Sequence, residues 1–137
     1  MFDHCLYFNT TALARRLEQE WSDAFASFEL TPPQAFMLRA VLSKPGLLQR
    51  ELSVELAIAR STATRALDFL EAKSYIERRA GEGDGREKTI FPTRKAVGVH
   101  QALDEASGAV TARLKKVLGN QEFVDTVSTV KAVRAAL

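Results

Sequence analysis

Residues 48–92 read LQRELSVELAIARSTATRALDFLEAKSYIERRAGEGDGREKTIFP, and they predict two short helices followed by a charged hairpin. Leucines at 48, 52 and 56 share one helical face, which predicts a helix over 48–57. A tight connection leads to a second helix over 60–73, whose helical period separates an inner face from an outer one. The inner face holds Ala63, Ala66, Leu67 and Leu70, and the outer face holds Arg60, Ser61, Thr64, Arg65 and Asp68.

The hairpin follows the second helix directly. Strand candidates at 75–80 and 88–91 flank a tip at 81–86, which is rich in glycine and carries Asp84 and Arg86. A helix pair with a basic hairpin behind it holds duplex DNA in two grooves, with one helix in the major groove. This part of the chain therefore predicts a DNA-binding protein.

Long helices are predicted on both sides of this segment. Apolar residues recur at helical spacing over 5–28, and Thr31-Pro32-Pro33-Gln34 is a capping-box start for a helix that ends near 44–46. After the hairpin, Thr93 is a candidate cap for a helix running to about Leu118, and Asn120 is a candidate cap for a last helix.

The helix after the hairpin carries a seam that resembles a heptad repeat. The seam consists of Val99, Leu103, Ala106, Val110, Leu114 and Val117. Terminal helices this apolar favour a homodimer, while the alternative is that they pack only on their own chain. The expected fold is mainly α with a small β-hairpin wing, a winged helix-turn-helix flanked by N- and C-terminal dimerisation helices. The DNA-binding lobe would span 31–92, and 1–30 with 93–137 would form the dimerisation lobe.

Composition narrows the class of protein. The chain has 137 residues, a net charge of +2 and one cysteine, so it has the size of one domain and no internal disulfide. We expect a cytoplasmic protein with no signal peptide and no membrane span. Residues 49–95 carry ten Lys or Arg and eight Asp or Glu, a net +2, and no acidic residue lies between Leu56 and Leu67. A local basic face is what a phosphate backbone requires.

The order of these segments resembles the MarR family of bacterial transcription regulators. Residues 52–73 are similar to that family's helix-turn-recognition-helix, and Ile76-Glu-Arg-Arg followed by Asp84-Gly-Arg86 is similar to its wing. The resemblance implies a homodimeric DNA-binding regulator, commonly a repressor, and not an enzyme. The chain departs from the family pattern in three ways. Leu48 (or Leu47) and Ala59 stand where the family often has capping residues, Ser74 replaces the usual glycine after the recognition helix, and Ala96 replaces another common glycine after the wing.

The start of the second helix holds the candidate base-reading residues, which are Arg60, Ser61, Thr62, Thr64 and Arg65. Arg65 suits a bidentate contact to guanine, and the hydroxyls suit base edges or phosphates. Arg60 suits a phosphate contact. The alternative is a solvated helix face on which Arg65 pairs with Asp68.

The wing supplies the other candidates. Arg86 suits the minor groove, where narrow A·T-rich stretches concentrate negative potential, and the resemblance implies that Asp84 steadies it. Arg79 and Lys88 flank the tip as candidate phosphate contacts, as does Gln49 at the start of the first helix. Ordinary surface side chains are the alternative for these residues.

Two features suggest a trigger for DNA release. Aromatic residues in the first two helices suit a small aromatic or apolar effector, although such a stripe is also ordinary core: Tyr7, Phe8, Trp21, Phe25, Phe28 and Phe36. The resemblance extends to a branch that senses peroxide through a cysteine near the first helix, a possible role for Cys5. The alternative is a small apolar residue.

No catalytic, cofactor or metal-binding motif is found. His4 and His100 belong to no metal-ligand spacing, and the glycines at 81, 83 and 85 do not open a helix as a phosphate loop would. The sequence thus predicts a homodimeric regulator, a repressor by preference, that binds a pseudo-palindromic operator. The alternative is a dimeric winged-helix module that binds proteins and does not read DNA.

Overall fold

A computed structural model describes residues 1–81 and 87–137. Within these ranges the chain forms six α-helices and a three-stranded antiparallel sheet, and a 3-10 turn at Ala26–Phe28 follows the first helix. In chain order the elements are α1 (Leu6–Phe25), α2 (Pro32–Ser43), β1 (Leu47–Leu48), α3 (Gln49–Glu55), α4 (Arg60–Ala72), β2 (Ile76–Ala80), β3 (Lys88–Pro92), α5 (Arg94–Leu118) and α6 (Asn120–Ala136). The predicted fold class is confirmed.

Helix ends follow the capping signals in most places. The Thr31 hydroxyl accepts from the Gln34 amide at 3.4 Å, and the Gln34 side chain accepts from the Thr31 amide at 3.0 Å, so the predicted capping box is present. The prediction that Asn120 caps α6 was wrong. Gly119 holds the cap position with a φ of 88°, and Asn120 is already helical. A glycine reaches this conformation without steric cost, so α6 begins with no side-chain cap.

The sheet has one more strand than the hairpin alone would supply. Its order is β1–β3–β2, with Leu47 opposite Ile90 and Arg78 opposite Ile90 on the other side. Residue 48 was predicted to be helical and β1 was not predicted, because two residues are too few to show an alternating pattern. Gly46 has a φ of 91°, and a Cβ there would lie 3.3 Å from the Phe91 ring.

The turn after α4 contains a strained residue. Ser74 has a φ of 64°, in the left-handed region, at the position where the similar family has glycine. This conformation costs an L-residue about 1–2 kcal/mol. The Thr93 hydroxyl donates to the Ser74 carbonyl at 2.6 Å, and the Ser74 amide donates to the Glu71 carbonyl at 3.0 Å, which holds the turn in place.

One apolar core connects the middle of the chain to its flanking helices. The four inner residues of α4 are buried as predicted, and α4 packs on α2, α3 and β2. The same cluster continues through Phe25 of α1 to Leu103 of α5. The middle of the predicted α5 seam, Leu103 and Val110, is therefore buried within its own chain. At these two positions the structure supports the alternative prediction, in which the helix packs within its own chain. Val117, at the end of the seam, is exposed.

Leu67 tests this core most directly because its side chain is fully buried. We expect Leu67→Ala to lower the free energy of unfolding by about 2–5 kcal/mol, through lost apolar burial and the cavity left behind. Urea denaturation followed by circular dichroism measures the change. Val54→Ala is the control, because Val54 is 81% exposed and should change stability by less than about 0.5 kcal/mol. Equal losses for both variants would contradict the packing described here.

Candidate nucleic-acid interface

The outer face of α4 presents polar and basic side chains at the start of the helix. Arg60, Ser61, Thr64 and Arg65 are exposed, and Thr62 is half-buried. In the part of the chain that the structure describes, neither Arg60 nor Arg65 makes an ion pair. Because the opposite face of α4 is locked in the core, this face is held outward.

Gln49 lies against this face and is not free in solvent. Its side-chain amide donates to the Thr64 hydroxyl at 2.7 Å, and that hydroxyl donates to the Arg60 carbonyl at 2.9 Å. The first residue of α3 is thereby hydrogen-bonded to the N-terminal part of α4. The pair fixes the angle between the two helices where the predicted DNA contacts begin.

The two helices start without side-chain caps of the usual kind. Ala59 is the cap residue of α4 and supplies no side-chain hydrogen bond. At α3, the Glu51 carboxylate accepts from the Leu48 amide at 2.9 Å, which satisfies one of the free backbone donors. The start of α4 therefore keeps backbone amides available to an anion, a favourable place for negative charge because of the helix dipole.

Arg78 connects the wing to α4 and was missed by sequence analysis. Its guanidinium donates to Asp68 at 2.9 Å and to Glu71 at 3.3 Å, and its side chain is only 16% exposed. Asp68 is thus occupied by the wing and not by Arg65, so the predicted alternative pairing on the helix was wrong. The only sequence signal was the run of basic residues in the strand, which does not show which one turns towards the helix.

The other wing candidates are placed differently. Arg79 donates to Glu77 and lies with its guanidinium carbon 3.9 Å from the centre of the Phe91 ring. Lys88 is exposed at the first position of β3, opposite Ala80. Asp84 and Arg86, the predicted tip residues, lie outside the residues that the structure describes.

A basic groove lies between α3, the start of α4 and the wing. It has a volume of about 360 Å³ and is lined by Leu48, Gln49, Arg50, Arg60, Arg78, Glu87 and Lys88. Four of these seven residues are cationic. Glu87 is the acidic exception and pairs with Arg50 at 3.0 Å, with both side chains 59% exposed. A groove of this charge beside an uncapped helix start suits a phosphate backbone.

Comparison with known proteins agrees with this geometry. The family model described as "MarR family" matches residues 28–87, the part that contains α2, α3, α4 and β2 and ends just before β3. The chain is a member of the MarR family. It is 31% identical over 91 residues to the uncharacterized HTH-type transcriptional regulator YybA of Bacillus subtilis. That match covers 66% of this chain and 61% of YybA, so the chain spans about three fifths of the length of this relative.

Solved structures share the fold of this MarR-family chain along nearly its whole length. The complex of MepR with DNA from S. aureus superposes with a TM-score of 0.88, covers 98% of this chain and 100% of its own, and is 19% identical. The PcaV regulator from Streptomyces coelicolor, in complex with its natural ligand, superposes with a TM-score of 0.79 at 25% identity, covering 90% of each chain. MarR-family regulators are DNA-binding proteins and not enzymes.

Two further predicted features of the MarR-family chain lie away from α4. Cys5 is exposed at the cap position of α1, where its sulfur accepts from the Phe8 amide at 3.5 Å. The aromatic residues divide into two groups: Tyr7 and Phe8 are exposed near the N-terminus, while Phe25 is buried and meets Phe36 edge-on at 6.1 Å. At least one of the aromatic residues is therefore core.

Over residues 1–81 and 87–137 no group of three or more His, Cys, Asp or Glu is arranged to hold a metal ion. No helix in the same ranges is long and apolar enough to cross a membrane.

Arg78→Met should lower the free energy of unfolding by about 1–2 kcal/mol, because it leaves Asp68 and Glu71 without their shared partner. The expected loss of unfolding free energy is no larger because both carboxylates are exposed to solvent. Urea denaturation measures it. Arg50→Met is the matched control, since its ion pair with Glu87 is exposed on both sides and should contribute less than about 0.5 kcal/mol. A control loss as large as that of Arg78→Met would show that the wing is not anchored through Arg78.

Proposed function

We propose that this chain is a transcription regulator that binds double-stranded DNA as a homodimer and acts as a repressor at a pseudo-palindromic operator. The observation that carries the proposal is the outer face of α4, where Arg60 and Arg65 are exposed and unpaired among the described residues, beside the basic groove. A DNA backbone supplies the negative charge that this surface faces. The membership in a family of DNA-binding regulators supports the same role.

In this proposal the start of α4 enters the major groove. Arg65 contacts a guanine through two hydrogen bonds, Ser61 and Thr62 meet base edges or phosphates, and Arg60 contacts phosphate. Thr64 and Gln49 take a supporting part, because the hydrogen bond between them already uses the Thr64 hydroxyl. Gln49 keeps its side-chain oxygen and one amide hydrogen for a phosphate or a bridging water.

The wing adds a second set of contacts. Arg86 would enter the minor groove, Asp84 would hold it as the resemblance to the family implies, and Lys88 would contact phosphate. Arg79 can also reach phosphate, but a phosphate oxygen then competes with Glu77 for its guanidinium.

A second copy of the chain would cover the exposed apolar surface at the ends of the molecule. That surface includes Phe2, Leu6, Leu13, Val124, Val127, Val130 and Val133. Among the described residues α6 contributes nothing to the buried core, so its apolar side needs a partner. Two-fold symmetry would place two α4 helices in major grooves roughly 10 bp apart. Residues 1–30 and 93–137 would form the dimerisation lobe, and 31–92 the DNA-binding lobe.

A small aromatic or apolar molecule would trigger release from DNA, and oxidation of Cys5 is the second option. The natural-ligand complex of PcaV supports a small-molecule effector. Trp21, Phe28 and Phe36 are partly exposed and lie in or beside α1 and α2, where such a molecule could pack. A regulator of this kind acts in the cytoplasm, where the DNA lies.

One observation favours the alternative of a dimeric winged-helix module that binds proteins and does not read DNA. Acidic side chains neutralise three arginines near the interface: Arg50 pairs with Glu87, Arg78 with Asp68 and Glu71, and Arg79 with Glu77. The net charge of +2 is also modest. The exposed Arg65 separates the two functions, because only DNA readout requires it.

Substitutions at two arginines test DNA readout. On a duplex recovered from a random pool, Arg65→Ala should weaken binding by about 1–3 kcal/mol and change the preferred base at one position of each half-site. Arg86→Ala should weaken binding to all sequences and reduce the slope of log K against log salt by about 1. Fluorescence anisotropy at several salt concentrations measures both effects.

The control for both substitutions is Lys116→Ala, which removes an exposed charge from α5. It should leave affinity and base preference unchanged. If Arg65→Ala and Arg86→Ala bind as the wild type does, the chain does not read DNA and the interaction module is the better assignment.

Cys5→Ser tests the oxidation trigger. We expect peroxide either to leave the wild-type complex with DNA intact or to release it equally from the serine variant, because Cys5 is an exposed cap residue with no cationic partner among the described contacts. Release is followed by anisotropy during peroxide titration. Release from the wild type that is lost in Cys5→Ser would make oxidation the trigger.

A further inference from the structure

A partly buried polar cluster joins α2 to both α1 and α5, and no part of the proposed DNA-binding surface uses it. At its centre is Ser107 of α5, which is only 7% exposed. The Ser107 hydroxyl oxygen accepts from the Trp21 indole of α1 at 3.0 Å and from the Arg39 guanidinium of α2 at 3.1 Å. A hydroxyl oxygen has two acceptor sites, so both are filled by donors from different helices.

Arg39 makes a second bond with the same helix. Its Nε donates to Asp104 at 2.8 Å, one turn before Ser107 on α5, and the other Asp104 oxygen lies 3.3 Å from His100. Two N–H groups of the Arg39 guanidinium thus bond to two residues of α5. Because the guanidinium is planar, these two bonds fix the orientation of α2 on α5 as well as the distance between the two helices. Below the guanidinium lies the Phe36 ring, 5.0 Å from its carbon, and Phe36 packs on Phe25 of α1.

We propose that a cluster of four residues sets the angle at which α2 packs on α1 and α5. This cluster, called the orienting joint, consists of Trp21, Ser107, Arg39 and Asp104. α2 packs on α4, so the joint also sets where the outer face of α4 lies relative to the terminal helices. The hydrophobic effect is non-directional, whereas a two-point guanidinium contact also constrains direction. Arg39 and Ser107 are positioning residues and need not touch DNA.

This inference rests on the proposed function, because its consequence is a change in DNA affinity. In a homodimer the terminal helices fix one copy against the other, and the joint then determines the separation of the two α4 helices. Without the joint, that separation varies more widely, and fewer molecules match the operator spacing at any moment. Affinity should fall although every DNA-contacting residue is intact.

Arg39→Met is the main test, and Trp21 is a built-in reporter because it is the only tryptophan. We expect its emission to shift to longer wavelength as water reaches the indole when the joint opens. Affinity for a selected duplex should fall at least about fivefold, the scale of ordinary coupling between sites. The slope of log K against log salt should not change, which distinguishes positioning from the loss of a phosphate contact.

Arg113→Met is the matched control. Arg113 of α5 pairs with Glu20 of α1 at 2.9 Å and does not involve α2, so it should leave both Trp21 emission and affinity unchanged. Arg39→Lys keeps the charge without the two-point geometry and should give a smaller loss. Ser107→Ala should reproduce the emission shift of Arg39→Met. All measurements are made under conditions in which circular dichroism shows that every variant is folded.

The outcomes separate the joint from the proposed function. An unshifted Trp21 emission in Arg39→Met and Ser107→Ala overturns the joint whatever DNA does. A shifted emission with unchanged affinity overturns its positioning role and leaves an ordinary structural contact. A wild-type chain that binds no duplex overturns the proposed function, and with it the effect of the joint on affinity.

Discussion

Burial of one face of α4 is the constraint on which the rest of the structure depends. Ala63, Ala66, Leu67 and Leu70 are locked against α2, α3 and β2, so the helix cannot rotate about its axis without exposing them. Thr64, Arg65 and Asp68 lie between them in the sequence and therefore face outward. Fixed apolar packing on one side thereby produces a fixed polar surface on the other. The small residues Ala63 and Ala66 let the neighbouring elements approach closely.

Polar contacts add directional constraints to the apolar packing. Arg78 holds the wing to α4, the Gln49–Thr64 hydrogen bond holds α3 to α4, and Arg39 holds α2 to α5. Each contact joins two elements that bound the basic groove or support it. The three contacts account for how a small sheet and short helices keep a defined shape at the surface, where few apolar residues are available.

Local signals in the sequence predicted the helices and their faces well. The period of the α4 residues and the capping box at Thr31 depend on residues close in the chain, and the structure confirms both. The sequence did not predict which side chains pair over long distances in the chain. Nothing in the sequence indicates that Trp21 and Ser107, 86 residues apart, share a hydrogen bond, or that Asp68 pairs with Arg78.

The spacing of apolar residues also does not show which surface covers an apolar helix face. The α5 seam was assigned to a second subunit, but Leu103 and Val110 are buried in their own chain, while the valines of α6 are exposed. The contacts of Arg60, Arg65, Arg86 and the other candidates with DNA remain predictions, because they depend on a partner whose sequence the chain does not encode.

Selection of bound sequences from a random duplex pool, repeated at two salt concentrations, tests the central claim most directly. A homodimer that reads DNA with α4 should recover a two-fold symmetric motif with half-sites roughly 10 bp apart, and its binding should weaken steeply as salt rises. Recovery of no motif, with weak binding at both salt concentrations, would contradict DNA readout by this fold.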